Sequence, residues 1–250
     1  MKTQSVFEKY AHEYDILTNA KAREKTHREE VRALIDRFHP GRVLDAGCAV
    51  GLTAALFAEQ GVEAVGLDRS RSMIAEARTK YAGTGLPLSF RTGRFERLPH
   101  SLDGRFDLVV CLANSISGVG TAANLKLGFA GFYRMLRQGG ALVLQSLNLS
   151  SLKDGEVLPV KATQEGRIGY LRFARRRNNL YELTVVRVDM SASPLQFEVF
   201  GHEFDSFSVD QMEATLRRSG FRRIRRYGDL SMSKPFRTKS RDIVLVSFAS

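Results

Sequence analysis

The chain has 250 residues, of which 43% are hydrophobic and 26% charged, and this ordinary globular balance excludes disordered and fibrous architectures. Lys and Arg outnumber Asp and Glu 38 to 27, giving a formal charge of +11, but the excess is spread, about +5 in the first 150 residues and +6 in the last 100. Two cysteines are too few for a disulfide framework. No apolar run approaches the roughly 20 residues that span a bilayer. Met1 to Asp15 carries scattered charge and lacks the apolar core of a signal peptide. A soluble, cytoplasmic protein without membrane contact is expected.

In chain order, Val6, Tyr10 and Tyr14, then Val31, Leu34, Ile35 and Phe38, recur at helical spacing, so the first forty residues read as helix up to Pro40-Gly41. Strand and helix then alternate. Arg42–Asp45 reads as strand, Gly51–Glu59 as helix, Ala64–Asp68 as strand, and Arg71–Lys80 as a helix capped by Ser70. Leu88–Thr92 is a weaker strand and Phe106–Leu112 a strong one. Thr121 caps a helix running to Arg137, and Gly139-Gly140 turns into a strand at Ala141–Leu147. This rhythm predicts a parallel, doubly wound sheet.

After Asn148 the rhythm changes. Ile168–Ala174 and Leu180–Val188 are β-rich and flank Arg177-Asn178-Asn179, a hairpin turn, and Gln196–Phe207 is a third such segment. Residues 149–207 therefore read as an antiparallel insertion within one domain formed by 1–148 and 208–250. Ser208 and Gln211 form a capping box for a helix that stops at Gly220. Phe221–Tyr227 and Asp242–Phe248 complete seven strands. A segment of that length at the sheet edge is too long for a mere connection. It is expected to be a lid with Tyr170, Arg172, Phe173 and His202 facing an acceptor pocket, with a dimerisation sheet as the alternative.

The chemistry concentrates where strands end. Val43-Leu44-Asp45-Ala46-Gly47-Cys48-Ala49-Val50-Gly51 is a strand running through an acidic residue and a glycine turn into a helix. Glycines admit close backbone approach to a ligand, and the helix start offers unpaired N–H groups. Ala49 and Val50 break the Gly-x-Gly-x-x-Gly spacing of nicotinamide sites, and the carboxylate suits an ammonium. Asp68 ends the next strand 23 residues later, where paired acceptor oxygens can take both hydroxyls of a ribose.

Together with Gly66-Leu67-Asp68-Arg69-Ser70, Gly93-Arg94-Phe95-Glu96-Arg97-Leu98-Pro99 and Phe106-Asp107-Leu108-Val109-Val110-Cys111, this segment resembles the class I S-adenosylmethionine-dependent methyltransferases. The resemblance covers residues 5–147 and 208–249. It implies a Rossmann-like seven-stranded α/β sheet and S-adenosylmethionine as cofactor. Asp45, Gly47 and Gly51 would line the methionine moiety and Asp68 would hold the ribose, with Cys48, Arg69, Met73, Arg94, Phe95 and Cys111 completing the cofactor set.

Arg94 stands where many members carry an Asp that accepts from the adenine amino group, and a donor-only guanidinium cannot replace it. Ala49, where a glycine is frequent, is a milder departure. Cys111-Leu112-Ala113-Asn114-Ser115 lacks the Asn/Asp-Pro-Pro-aromatic tetrad of enzymes that methylate nucleobase or glutamine amides. It is similar to the glycine and amino-sugar N-methyltransferases, as is Tyr10-Ala11-His12-Glu13-Tyr14-Asp15. Tyr14, Asn114 and His12 are thus the candidate catalytic residues.

None of the five histidines shows metal-ligand spacing, and of them His12 and His27 are the two expected on the cofactor side. Neither cysteine lies in the motif of a nucleophile. The resemblance implies in-line attack by an amine or hydroxyl of a small molecule on the sulfonium methyl. RNA or protein methylation recruited by Arg175-Arg176-Arg177 and by Arg217, Arg218, Arg222, Arg223, Arg225 and Arg226 is the alternative, with an inert cofactor-binding protein the third reading. Nucleic acid is not the expected partner, and the assembly is a monomer or a homodimer.

Overall fold

The computed structural model describes residues 5–149, 152–178, 180–205 and 207–250. Strands β1 (Arg42–Ala46), β2 (Glu63–Asp68), β3 (Leu88–Thr92), β4 (Phe106–Cys111) and β5 (Leu136–Leu147) join β10 (Arg222–Tyr227) and β11 (Asp242–Phe248) in one sheet of order β10-β11-β5-β4-β1-β2-β3. All neighbours pair in parallel except β11, which runs antiparallel to both β5 and β10.

The central strands are apolar on both faces, as a sheet covered on both sides requires. Leu44, Val109 and Leu142 point to one layer with Phe129 and Phe132 of α6 (Ala122–Met135) and Leu216 of α7 (Val209–Arg218). Val43, Leu108 and Val143 point to the other with Leu34 of α3 (Ala20–Phe38), Phe57 of α4 (Leu52–Ala58) and Ile74 of α5 (Arg71–Lys80). Capping follows the sequence: Ser70 accepts from Met73 N at 3.1 Å, Thr121 from Asn124 N at 3.1 Å, and Ser208 and Gln211 close a reciprocal capping box.

Four expectations need correction. The leading helix is broken into α1 (Val6–Lys9), a 3-10 turn at Ala11–Glu13, α2 (Tyr14–Thr18) and α3, because Tyr10 leaves helical geometry and Asn19 is left-handed at φ 55°. Asparagine tolerates that conformation. Helix α6 stops at Met135 rather than Arg137, and β5 already begins at Leu136, with the pairing to β4 shifting before Ala141. The insertion contains four strands, not three: β6 (Val157–Glu165), β7 (Ile168–Arg177), β8 (Leu180–Asp189) and β9 (Gln196–Asp205), paired antiparallel in sequence order. Strand β6 is masked in the sequence by Pro159, and it sits at the sheet edge with a register shift between Pro159 and Lys161. At the β7–β8 turn Asn178 is left-handed at φ 57°, and Asn179 lies outside the described residues.

The leading segment packs on this second sheet through Val6, Leu17, Tyr170, Val185 and Phe200. A buried ion pair crosses the contact. Arg187 donates from Nε and Nη2 to the two oxygens of Glu13 at 2.8 and 2.7 Å, and Tyr170 donates its hydroxyl to the same carboxylate. The guanidinium lies 4.3 Å from the Tyr10 ring centroid. Burial pushes the Glu13 carboxyl up, but the Arg187 fork and Tyr170 outweigh it and hold it below the usual range. Glu13→Gln leaves a buried guanidinium without its counter-charge and should lower the unfolding free energy by about 3 kcal/mol at neutral pH. A carboxyl held low stabilises above its unfolded value and loses that contribution as pH falls, so denaturation curves of wild type and variant should converge in acid.

Candidate active site

At the carboxyl ends of β1, β2, β4 and β5, under the second sheet, lies a cavity of about 370 Å³, within the roughly 300–1,000 Å³ of small-molecule sites. One half of its wall comes from Gly47, Ala49, Asp68, Arg69, Met73 and Glu96; Tyr14, Arg23, Asn114, Arg172, Leu183 and Phe204 contribute to the other.

Gly47 adopts φ +86°, and a Cβ there would lie 2.5 Å from Ser115 Cβ and 3.3 Å from the Phe95 ring, so this position accepts no side chain. Its carbonyl accepts from Ser115 Oγ at 3.3 Å, tying the β1 turn to the β4 turn. Asp68 accepts from Ala49 N at 3.1 Å and Ser70 N at 2.8 Å, one on each oxygen, which fixes the carboxylate toward the cavity and leaves further lone pairs on both oxygens. Burial raises its pKa while those two N–H groups oppose the rise. Arg69 donates to Gly118 O at 2.9 Å, and Met73 and Phe95 also reach the wall.

Asp45, Cys48, Gly51 and Cys111 do not reach the cavity wall. Gly51 is left-handed, and a Cβ on it would strike the Phe90 ring at 2.5 Å, so its glycine serves packing under the turn. Burial pushes both thiols up, Cys48 at 7% exposure and Cys111 at 0%, which makes them packing groups rather than thiolates. Asp45 is buried beneath the Gly47 turn with Oδ2 unpartnered, and burial, with Asp68 adding to it against the Ala54 N–H, pushes its carboxyl up to about 7.

Of the candidate catalytic residues, Tyr14 and Asn114 line the cavity and His12 does not; its ring is 63% exposed and turned to Glu13 at 3.5 Å. Burial and Asp68 push the Tyr14 phenol up to about 12, so it is neutral at physiological pH. Asn114 Oδ1 already accepts from Ser117 Oγ at 2.9 Å, Ser146 Oγ at 2.8 Å and Leu147 N at 3.2 Å, so the side chain offers the cavity its amide N–H. His27 bonds Glu30 and Thr53 away from the wall.

Within the second sheet, Arg172 lines the cavity while Phe173, one residue on, points to the opposite face at 37% exposure. Tyr170 is spent on Glu13, and His202 packs against Phe7 at 5.0 Å between ring centroids. Glu96 was missed by the sequence reading, as was Arg23. Glu96 holds Arg94 at 2.9 Å and puts a carboxylate on the wall two residues from the position where one was lacking. Its signal was the acidic residue at that offset.

The chain matches the methyltransferase domain family over residues 43–140. It is 29% identical over 202 residues to a putative methyltransferase, YqeM, of Bacillus subtilis (strain 168), covering 78% of this chain and 79% of that one. A glycine/sarcosine/dimethylglycine N-methyltransferase of Actinopolyspora halophila is 30% identical over 113 residues, which is 45% of this chain and 20% of the relative. Among solved structures, the S-adenosylmethionine-bound amino pentose methyltransferase CalS10 of Micromonospora echinaspora superposes with TM-score 0.74 at 20% identity, covering 93% of this chain and 95% of that chain. A Rossmann-like sheet with antiparallel β11 carries its cavity at the carboxyl edge, where open α/β sheets bind ligands. The methyltransferase domain at residues 43–140, the methyltransferase relatives and the seven-stranded fold together support a class I S-adenosylmethionine-dependent methyltransferase.

The residues fit that cofactor. Asp68 presents acceptors to the cavity and Gly47 keeps the turn bare, with the orphaned Asp45 Oδ2 buried behind that turn. Asp68→Ala should weaken S-adenosylhomocysteine by about 1.5–3 kcal/mol in calorimetry through lost charge-assisted hydrogen bonds. A carboxyl raised to about 7 contributes to stability while protonated and loses that contribution as pH rises through 7. Asp45→Asn should therefore melt higher than wild type above pH 7 in the cofactor-free protein, with the advantage vanishing in acid.

Proposed function

We propose that the protein methylates an amine of a small molecule enclosed between the sheet edge and the second sheet, which acts as a lid. The observation that carries this is the character of the wall facing the acceptor. It is apolar at Leu17, Leu147, Ala174, Leu183, Val185 and Phe204, and among the described residues no histidine reaches it. Tyr14 is neutral, Asn114 is a donor, Asp68 belongs to the cofactor half, and Glu182 is engaged by Arg175 and Arg177. A hydroxyl needs a base to become nucleophilic, whereas an amine attacks with its own lone pair once neutral. Relatives named as glycine/sarcosine N-methyltransferases and a solved sugar N-methyltransferase agree with this choice, beside relatives named as O-methyltransferases.

When bound, the cofactor supplies an electrophilic methyl carbon, so the chain has little bond-making chemistry of its own to perform. Asp68 and the Gly47 turn fix the nucleoside and amino-acid ends. The Asn114 amide and Tyr14 hydroxyl orient the acceptor, and the second sheet with α2 excludes water and holds the acceptor in line.

The alternative of nucleic-acid recruitment loses support from the pairing of its arginines. Arg217 and Arg226 each bond Glu213 at 2.6 Å, Arg226 also reaches Asp210 at 2.8 Å, and Arg175 and Arg177 bond Glu182. Labelled methyl transfer tested against small amines, small alcohols and an RNA pool should favour amines. With two accepted amines of different basicity, the rate should rise with pH and level off at each amine's own pKa. A single plateau near pH 6–7 for both would point instead to a protein base and sink the reading.

A further inference from the structure

Arg23 and Arg172 stand on the acceptor half of the cavity, and neither forms an ion pair among the described residues. Arg172 Nε is buried without a hydrogen-bond partner. Burial and Arg23 both lower the Arg172 pKa, with Tyr14 acting the other way, as expected for a guanidinium lacking a counter-charge. Lys161 sits directly across from Arg172 in the β6–β7 register, and its ammonium is disfavoured by burial and by Arg172, Arg23 and Arg241 together. Arg241 is held beside the cavity rim because its carbonyl accepts from Asn148 N at 2.8 Å, between the wall residues Leu147 and Leu149. Asp242 is within electrostatic range of Arg23 and Arg241 but forms an ion pair with neither.

Arg172 and Arg23 thus stand on the wall of an otherwise apolar half-cavity with Lys161 and Arg241 within electrostatic range, and none of the four forms an ion pair among the described residues. Uncompensated buried charge is unfavourable, and at Glu13 and Arg187 this protein compensates it. The Glu13–Arg187 pair is the internal standard: one arginine satisfies a whole carboxylate with two hydrogen bonds. Four cations around one buried Nε exceed what a single carboxylate needs.

We infer that the acceptor carries a phosphoryl group, as a mono- or diphosphate ester, seated on Arg172 and Arg23 with Lys161 and Arg241 at the rim, while its amine lies toward Asn114. This rests on the small-molecule methyltransferase reading and narrows its substrate class. Guanidinium forks match phosphate oxygens bidentately, and lysine adds a point charge.

Titration calorimetry separates the two levels. Wild type is first saturated with S-adenosylhomocysteine, then titrated with inorganic pyrophosphate, phosphate or acetate. Pyrophosphate should bind most tightly and acetate least, with affinity falling as salt rises. Arg172→Gln should bind S-adenosylhomocysteine within a few-fold of wild type and lose pyrophosphate affinity by roughly tenfold or more. Should Arg172→Gln fail to bind S-adenosylhomocysteine, Lys161→Gln and Arg23→Gln carry the test, each with a smaller loss in the same direction. Pyrophosphate binding no tighter than acetate, or unchanged in all three variants, overturns the phosphoryl site and leaves the methyltransferase reading intact. Absence of S-adenosylhomocysteine binding to wild type overturns both.

Discussion

The enclosure of the cavity depends on one buried charge pair. Glu13 belongs to the leading segment and Arg187 to the second sheet, 174 residues apart, and each is about nine-tenths removed from water. Either charge alone would favour staying solvated, so the two are stable only when the segments meet in one register. That register sets Tyr14, one residue beyond Glu13, on the cavity wall and Arg172, two residues beyond Tyr170 on β7, on the same wall. Tyr10 stacks on the guanidinium and donates to Glu198 of β9, and Lys9 bonds the same carboxylate. The second sheet and the leading segment over the cavity are therefore a single packed unit. Cutting out the second sheet would strip Val6, Leu17 and Glu13 of their partners and unseat the leading segment over the cofactor as well.

The central sheet was legible because its signals are local and agree with one another. Apolar runs of five or six residues between capped helices specify a parallel sheet covered on both faces. Ser70, Thr121 and Ser208 begin helices where the sequence places them. The site was legible where chemistry and strand ends coincide, as at Gly47, Asp68 and Asn114. It was illegible wherever a residue's direction depends on a register that sequence does not carry. Tyr170, Arg172 and Phe173 were grouped on one face although period two forbids it for neighbours, and His202 was turned inward although Phe7 claims it. Arg23 gave no sign of relevance in a charged helix; a left-handed Asn19 just before it swings that helix so that the side chain meets the cavity.

The motif glycines divide in the same way. Sequence treats Gly47 and Gly51 as equivalents in a ligand turn, and both have positive φ. Around Gly47 the space is claimed by Ser115 and the cavity-lining Phe95, whereas around Gly51 it is claimed by Phe90 and Tyr81. One glycine keeps the wall bare, the other lets β3 close over the turn, and only the contacts distinguish them.

Charge distribution ties the fold to the choice of acceptor. A chain with eleven excess positive charges spends many of them on carboxylates at its surface, as at Glu182 and Glu213, where exposed pairs contribute little to stability and much to solubility. What remains unpaired is informative because of where it remains. Asp68 and Glu96 place carboxylates on one half of the cavity wall, while Arg23 and Arg172 place guanidinium groups on the other. A cavity polarised in this sense suits a cationic group at one end and an anionic group at the other. The neutral Tyr14 and the donor Asn114 stand on the same half of the wall as Arg23 and Arg172, where an uncharged group costs less to desolvate than a charged one.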